Sequence, residues 1–226
     1  AIDANVRCIV LTGAGSAFCA GGDVKGFAAA GDGSGSSAPT TVEQRAQLLR
    51  PGFEVSRMLH EMPKPTLAAI PGAAAGAGCS LALACDLRIA LDSAKITTAF
   101  SKVGLSGDYG MSYFLPLLVG HTKARELMFT AQVITGEQAL ALGMINQSVT
   151  AKQFPEAVQT MAAQLAALPT VALGYMKKNL NASNTQSLSQ ILDSEAMSMA
   201  RCFTTDDHKG AVQAFVEKRA PEFKGR

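Results

Sequence analysis

Two stretches of this sequence offer peptide N–H groups with almost no side chain in the way. One is Ala20-Gly21-Gly22, inside "LTGAGSAFCAGGD" (Leu11–Asp23). The other is Ala75-Gly76-Ala77-Gly78. Two such N–H groups converging on one oxygen make an oxyanion hole, and removing one donor of that type costs ~2.7–4 kcal/mol in barrier. The second stretch precedes a helical run, whose N-terminus already favours negative charge. Close backbone packing is the competing explanation for either stretch alone.

A nucleotide-binding reading of the first stretch fails on its spacing. A dinucleotide fingerprint needs G-x-G-x-x-G between a strand and a helix, with an acid about twenty residues later. Gly13-x-Gly15 is present, but Phe18 stands at the third glycine position. The acid at the right distance, Asp32, falls in the Gly/Ser-rich "GDGSGSSAPTT" (Gly31–Thr41). The phosphate-cradling G-x-x-x-x-G-K-[ST] is absent.

The elements that must hold these residues follow from periodicity and punctuation. Val6–Leu11, Thr66–Ile70 and Asp86–Ala90 are short apolar runs bounded by turn residues, which predicts buried strands. Val42–Glu61 predicts a helix, kinked or split at Pro51-Gly52, with Leu48, Leu49, Val55, Met58 and Leu59 facing inward. Cys79–Cys85 predicts a short helix behind the second loop. Strand, small-residue loop and helix thus occur twice, as expected of a layered α/β fold. From His121 the chain is predicted helical, with helices over Thr122–Thr130, Pro155–Leu168 and Val171–Leu180. Thr135-Gly-Glu-Gln138 has the form of a capping box. Thr205-Asp-Asp suits a helix N-terminus, and Val212, Phe215 and Val216 would form that helix's apolar face.

Bulk numbers narrow the class. The 226 residues are 48% apolar and 17% charged, enough for a sizeable core. A net charge of +2 gives no basic stripe for nucleic acid. Lys177-Lys178 is expected on a solvated helix face. The five cysteines form no CxxC pair, which points to free thiols in a cytoplasmic protein rather than disulfides or a zinc site. The apolar region Thr66–Leu83 is broken by Pro71-Gly72, so no membrane span is expected. His60, His121 and His208 sit at element ends and are expected at the surface. Asp23 and Asp86 are expected to be structural acids.

Taken together, "FCAGGDVK" (Phe18–Lys25) and "KPTLAAIPGAAAGAGCSLALACDLRIA" (Lys64–Ala90) resemble the crotonase, or enoyl-CoA hydratase/isomerase, superfamily. The likeness continues through Ala94–Gly110, Leu118–Asn146 and Phe215–Arg226. It implies an α/β spiral of ββα repeats with a helical C-terminal region. The spiral core would cover residues 1–150 and the helical region, used for trimerisation, residues 151–226. The family's first strand and helix, which precede "VRCIVLTG", are expected to be absent from this sequence. The resemblance implies a trimer or dimer of trimers acting on acyl-CoA thioesters, with coenzyme A entering only as part of the substrate. By the family's motif, Gly22 N–H and Ala77 N–H would hold the thioester oxygen. The backbone at Ala20 would face the adenine, Lys25 would approach the CoA phosphates, and Phe215 and Lys218 would reach the CoA site from the C-terminal segment. The two glutamates of the hydratases are replaced, at matching positions, by Ser80 and Phe100. A serine without an activating partner is a poor base, and phenylalanine has no proton to give. Asp108, in "LSGDYG", matches the single carboxylate of the enoyl-CoA isomerases. Apolar neighbours such as Phe100, Leu105 and Met111 would keep it dry enough to carry a proton at working pH, and capping of the glycine turn is its alternative role. The alternatives are a hydratase using Asp108 and water, a dehalogenase-like hydrolase, and an inactive CoA binder. The hydrolase relatives carry a pocket tryptophan that this chain lacks. Tyr109 and Tyr113 would orient Asp108, line the acyl pocket or pack in the core.

Overall fold

The computed structural model describes residues 3–23 and 41–226. Lys25 and Asp32 lie outside the described residues, as does most of the Gly/Ser-rich stretch. Two parallel sheets run through the molecule. The first, in spatial order, is β1 (Ile9–Thr12), β3 (Thr66–Ile70), β5 (Leu87–Leu91) and β7 (Gln147–Val149). The second is β2 (Ala17–Cys19), β4 (Ala73–Ala75) and β6 (Ile96–Thr97). Successive strands alternate between the sheets, so each turn of the chain adds one strand to both and the backbone winds as a spiral. A central parallel strand is covered on both faces and therefore reads as an unbroken apolar run. β3, "TLAAI", has this form and is buried along its whole length.

Helices close the turns. α1 (Val42–Leu49) and α2 (Glu54–Glu61) are separated by a 3-10 turn at Arg50–Phe53, where the sequence placed the split at Pro51-Gly52. Their inward positions differ from the expectation. Leu59 is buried, but Leu48, Leu49, Val55 and Met58 are exposed, because α2 turns Ser56 and Leu59 inward and α1 buries none of its residues. α3 (Ala77–Ala84) follows β4 directly.

α4 spans Met111–Thr130 and is interrupted at Gly120, whose backbone is non-helical. Its first half, with Pro116 inside it, is not visible in the periodicity. α5 (Gly136–Ala141) carries the expected capping box: Gln138 N–H donates to Thr135 Oγ1 at 3.2 Å, and Thr135 N–H donates to Gln138 Oε1 at 2.8 Å. Beyond β7 the regular structure is α6 (Phe154–Ala167), α7 (Thr170–Ser183), α8 (Leu188–Phe203) and α9 (Asp206–Val216). Thr205 caps α9 as expected, but Asp207 is buried and holds the C-terminal tail, accepting from the N–H groups of Lys224 and Gly225. No single described helix is long and apolar enough to cross a membrane.

One buried polar cluster ties the C-terminal helices to the spiral. The Lys177 ammonium donates to Asp86 Oδ2 at 2.8 Å, Leu59 O at 2.7 Å and Lys64 O at 3.3 Å. Asp86 Oδ2 also accepts from Thr66 N–H and Thr66 Oγ1. Asp86 is therefore a structural acid, as expected, whereas Lys177 is not on a solvated face. Lys178 is exposed, but Lys177 is buried because α7 crosses the end of α2 and the start of β3. Removing one partner of a buried pair costs about 3–5 kcal/mol. Lys177→Met is expected at the lower end of that range, since Asp86 keeps a 26% exposed side chain. The midpoint of urea unfolding measures it.

Candidate active site

The pairing of β2 with β4 brings the two small-residue stretches together. Ala17 pairs with Ala73, and Cys19 with Ala74, in parallel register. The chain leaves both strands at the same edge of the sheet, so Ala20-Gly21-Gly22 and Gly76-Ala77-Gly78 emerge side by side. Glycine is required where they touch. A Cβ on Gly78 would sit 2.2 Å from Cys19 O, and one on Gly21 would sit 2.9 Å from Ala75 O and 3.8 Å from Ala77 N. Gly21 also has φ +97°, open to glycine and strained for other residues.

Ala77 is the first residue of α3, and the first N–H groups of a helix lack intrahelical acceptors. Among the described residues, neither Gly22 N–H nor Ala77 N–H donates to a backbone carbonyl. The helix dipole adds positive potential at Ala77. This arrangement is suited to holding an oxygen that gains negative charge.

Ser80 and Phe100 flank the second loop, and their surroundings agree with the chemistry assigned to their side chains. Ser80 is buried and its hydroxyl donates to Gly76 O at 3.2 Å. Phe100 is buried, and its ring lies 3.8 Å from where a Cβ on Gly76 would be. Neither is a proton carrier.

Asp108 sits in the tight turn that opens α4. Its carbonyl accepts from Met111 N–H at 3.0 Å. Its Oδ1 is buried and has no hydrogen-bond partner among the described residues. Burial alone pushes its carboxyl above the usual carboxylate range. Met111 and Phe100 are buried as the sequence suggested, but Leu105 is exposed and contributes little to drying the site. An unpaired, partly desolvated carboxylate of raised basicity is what a proton carrier requires.

The structure also assembles residues that the sequence did not bring together. A cavity of about 720 Å³ lies between the 3-10 turn, α2, the start of α4 and α7. Phe53, Ser56, His60, Tyr109, Tyr113 and Asn181 are among its walls. It begins at Tyr109, one residue past Asp108, and neither Asp108 nor the two loops line it. The His60 ring packs edge-on against Tyr113 and Phe114 at centroid distances of 5.7 and 5.1 Å. His60 is thus half-buried rather than a surface residue. Burial, and then the Lys177 charge, hold its pKa below the ordinary value. No periodicity links 53, 60, 109 and 113. Only the packing of α2 on α4 does.

Ala20 lies on the first loop. Phe215 and Lys218 are at the far end of α9, and neither makes a hydrogen bond, ion pair or ring contact with the two loops. Phe215 is 85% exposed. The cysteines are all free, and burial pushes Cys79 and Cys85 up to about 12, so those thiols are inert. Among the described residues, no group of three or more His, Cys, Asp or Glu could hold a metal ion.

A two-sheet parallel spiral with a helical C-terminal region is the crotonase fold. The chain belongs to the enoyl-CoA hydratase/isomerase family, whose model matches residues 2–226. It is 37% identical to the 1,2-epoxyphenylacetyl-CoA isomerase of Escherichia coli strain K12 over 224 residues, 99% of this chain and 83% of that one. It is 38% identical to a probable enoyl-CoA hydratase of Rhodobacter capsulatus over 221 residues, 97% of this chain and 82% of that one. The crystal structure of an enoyl-CoA hydratase from Polaromonas sp. JS666 superposes with a TM-score of 0.89 at 32% identity, covering 98% of this chain and 84% of that one. The chain is therefore an enzyme of the hydratase/isomerase kind.

Proposed function

We propose that the enzyme shifts a carbon–carbon double bond in an acyl-CoA thioester, with Asp108 as its sole base. The observation that carries this is the half-buried Asp108 carboxylate, whose buried Oδ1 has no partner, in a site whose other two candidate positions hold Ser80 and Phe100. With a 3-enoyl thioester, Asp108 takes a proton from C2. The electron pair moves to the thioester oxygen as a dienolate, which Gly22 N–H and Ala77 N–H receive. Asp108, now a carboxylic acid, returns the proton at C4, leaving a 2-enoyl thioester and a carboxylate. One group can serve both carbons because it need only swing across one face of a planar dienolate.

Hydration is the second reading, favoured by the names of relatives such as the probable enoyl-CoA hydratase. It asks Asp108 to activate water without a second carboxylate. Incubating the protein with 3-enoyl-CoA and 2-enoyl-CoA separately in deuterated water separates the two. Isomerisation converts the 3-enoyl ester and leaves the 2-enoyl ester unhydrated. Rapid hydration of the 2-enoyl ester with the 3-enoyl ester untouched would sink the proposal.

The same proposal places coenzyme A against the Ala20 backbone, with Lys25, Phe215 and Lys218 as further contacts. Leu188, Phe203, Phe215 and Val216 expose apolar side chains on α8 and α9, which supports a trimer or a dimer of trimers built through these helices. Sedimentation equilibrium reads the mass. Five free cysteines support a cytoplasmic location, which fractionation of the native cell tests.

A further inference from the structure

Tyr109 has a backbone that its side chain disfavours. Its φ is +46°, in the left-handed region, where a bulky residue is an outlier. It stands between Asp108 and Gly110 (φ +86°), with Gly107 (φ +117°) on the other side of Asp108. Glycine at 109 would meet the turn without strain, so something else must account for a tyrosine there. Its ring packs edge-on against Phe53, with centroids 4.9 Å apart, and its hydroxyl oxygen lies 3.5 Å from where a Cβ on Gly52 would be. Phe53 and Gly52 belong to the 3-10 turn that joins α1 to α2. The tyrosine ring is therefore an arm from the strained turn to a separate element, and it forms a wall of the cavity beyond. Nothing else among the described residues restrains the Asp108 carboxylate: its Oδ1 accepts no hydrogen bond, and its only backbone tie in the turn is its carbonyl to Met111 N–H.

We propose that Tyr109 is a positioning residue, whose ring, clamped on Phe53, holds the Asp108 turn and with it the unpaired carboxylate in one place. The proposal rests on Asp108 being the base. The clamp replaces the hydrogen bonds that would otherwise fix a carboxylate, and such bonds would also lower its basicity. Orienting Asp108 by packing at one remove leaves both its oxygens free to move a proton.

The test compares three variants of the full chain on 3-enoyl-CoA, with thermal unfolding recorded for each. Tyr109→Gly relieves the φ strain and removes the arm. Its kcat is expected to fall about 10²-fold, the order of loss a misplaced catalytic group produces, with KM within a few-fold of the parent. Phe53→Ala removes the other half of the clamp and is expected to lower kcat in the same way. Combined with Tyr109→Gly it should add little, as contacting residues do. Tyr109→Phe keeps the ring on Phe53 and is expected to restore most of kcat. A residue that only packs would lower the unfolding temperature and leave kcat of the folded protein unchanged. That result in both Tyr109→Gly and Phe53→Ala overturns the clamp. If Tyr109→Gly does not fold, Phe53→Ala decides alone. Asp108→Asn is measured alongside. Full turnover in it refutes Asp108 as base and the clamp with it, whereas lost turnover there with normal kcat in the clamp variants refutes the clamp only.

Discussion

Asp108→Asn is expected to lower kcat by about 10²–10⁴-fold, the range that a positioned general base contributes, while acyl-CoA binding measured by calorimetry is kept. The asparagine is nearly isosteric, so the turn stays in place; what is lost, on the proposed mechanism, is the carboxylate that takes the C2 proton. The pH dependence follows from the same environment. Only the ionised carboxylate is a base, and desolvation raises its pKa. The acid limb of kcat should therefore have its midpoint above the ordinary carboxyl range, with activity rising as pH rises through it. The stability linkage has the opposite sign. A carboxyl whose folded pKa is raised is penalised when ionised, so the penalty is absent below its unfolded pKa and fully present above its folded pKa. Asp108→Asn should thus be no less stable than the parent at neutral pH. A variant that loses activity together with stability would point to a structural aspartate instead.

The chemistry of this site was legible in the sequence further than its geometry. Composition alone marked Ala20–Gly22 and Ala75–Gly78 as bare backbone, and the resemblance set Ser80 and Phe100 where the hydratases carry glutamates, which argues against the standard two-carboxylate mechanism. The adjacency of the two loops was implied by the resemblance and was not legible in periodicity. It depends on β2, β4 and β6, which are two or three residues long, too short to show any periodicity. The first half of α4 was hidden by Pro116, normally a helix breaker. Here the chain keeps its helix across the proline and breaks at Gly120 instead.

Lys177 shows a different blindness. Next to Lys178 in the sequence it has the look of a charged surface pair. Neighbours on a helix point about 100° apart, however, and one of the two can enter the interior when an acid waits there. Asp86 does, held by Thr66 on the adjoining strand. The exposed Leu48, Leu49 and Met58 fail in the reverse sense: their spacing is amphipathic, but they are left largely open to solvent. Apolar spacing predicts which face seeks cover, and not whether the same chain supplies it.

Ala77→Pro is expected to lower kcat by about 10²–10³-fold, the loss of roughly 2.7–4 kcal/mol that follows removal of one oxyanion donor. The substitution isolates the N–H. Ala77 is the first residue of α3, where proline's fixed φ suits the helix and no intrahelical hydrogen bond is lost. Gly76, the residue before it, tolerates the restriction that a following proline imposes, since its ψ of −122° is far from helical. Stability should therefore change little, while the dienolate oxygen keeps only the Gly22 N–H. The ring's Cδ replaces the hydrogen and crowds the oxygen, so KM should rise as well. Asp108 is untouched, and slow solvent exchange at C2 should persist in deuterated water as the residual signature of the base. Unchanged kcat in a folded Ala77→Pro protein would show that the thioester oxygen is held elsewhere. The paired loops would then be no more than the close backbone packing that two adjoining parallel strands require.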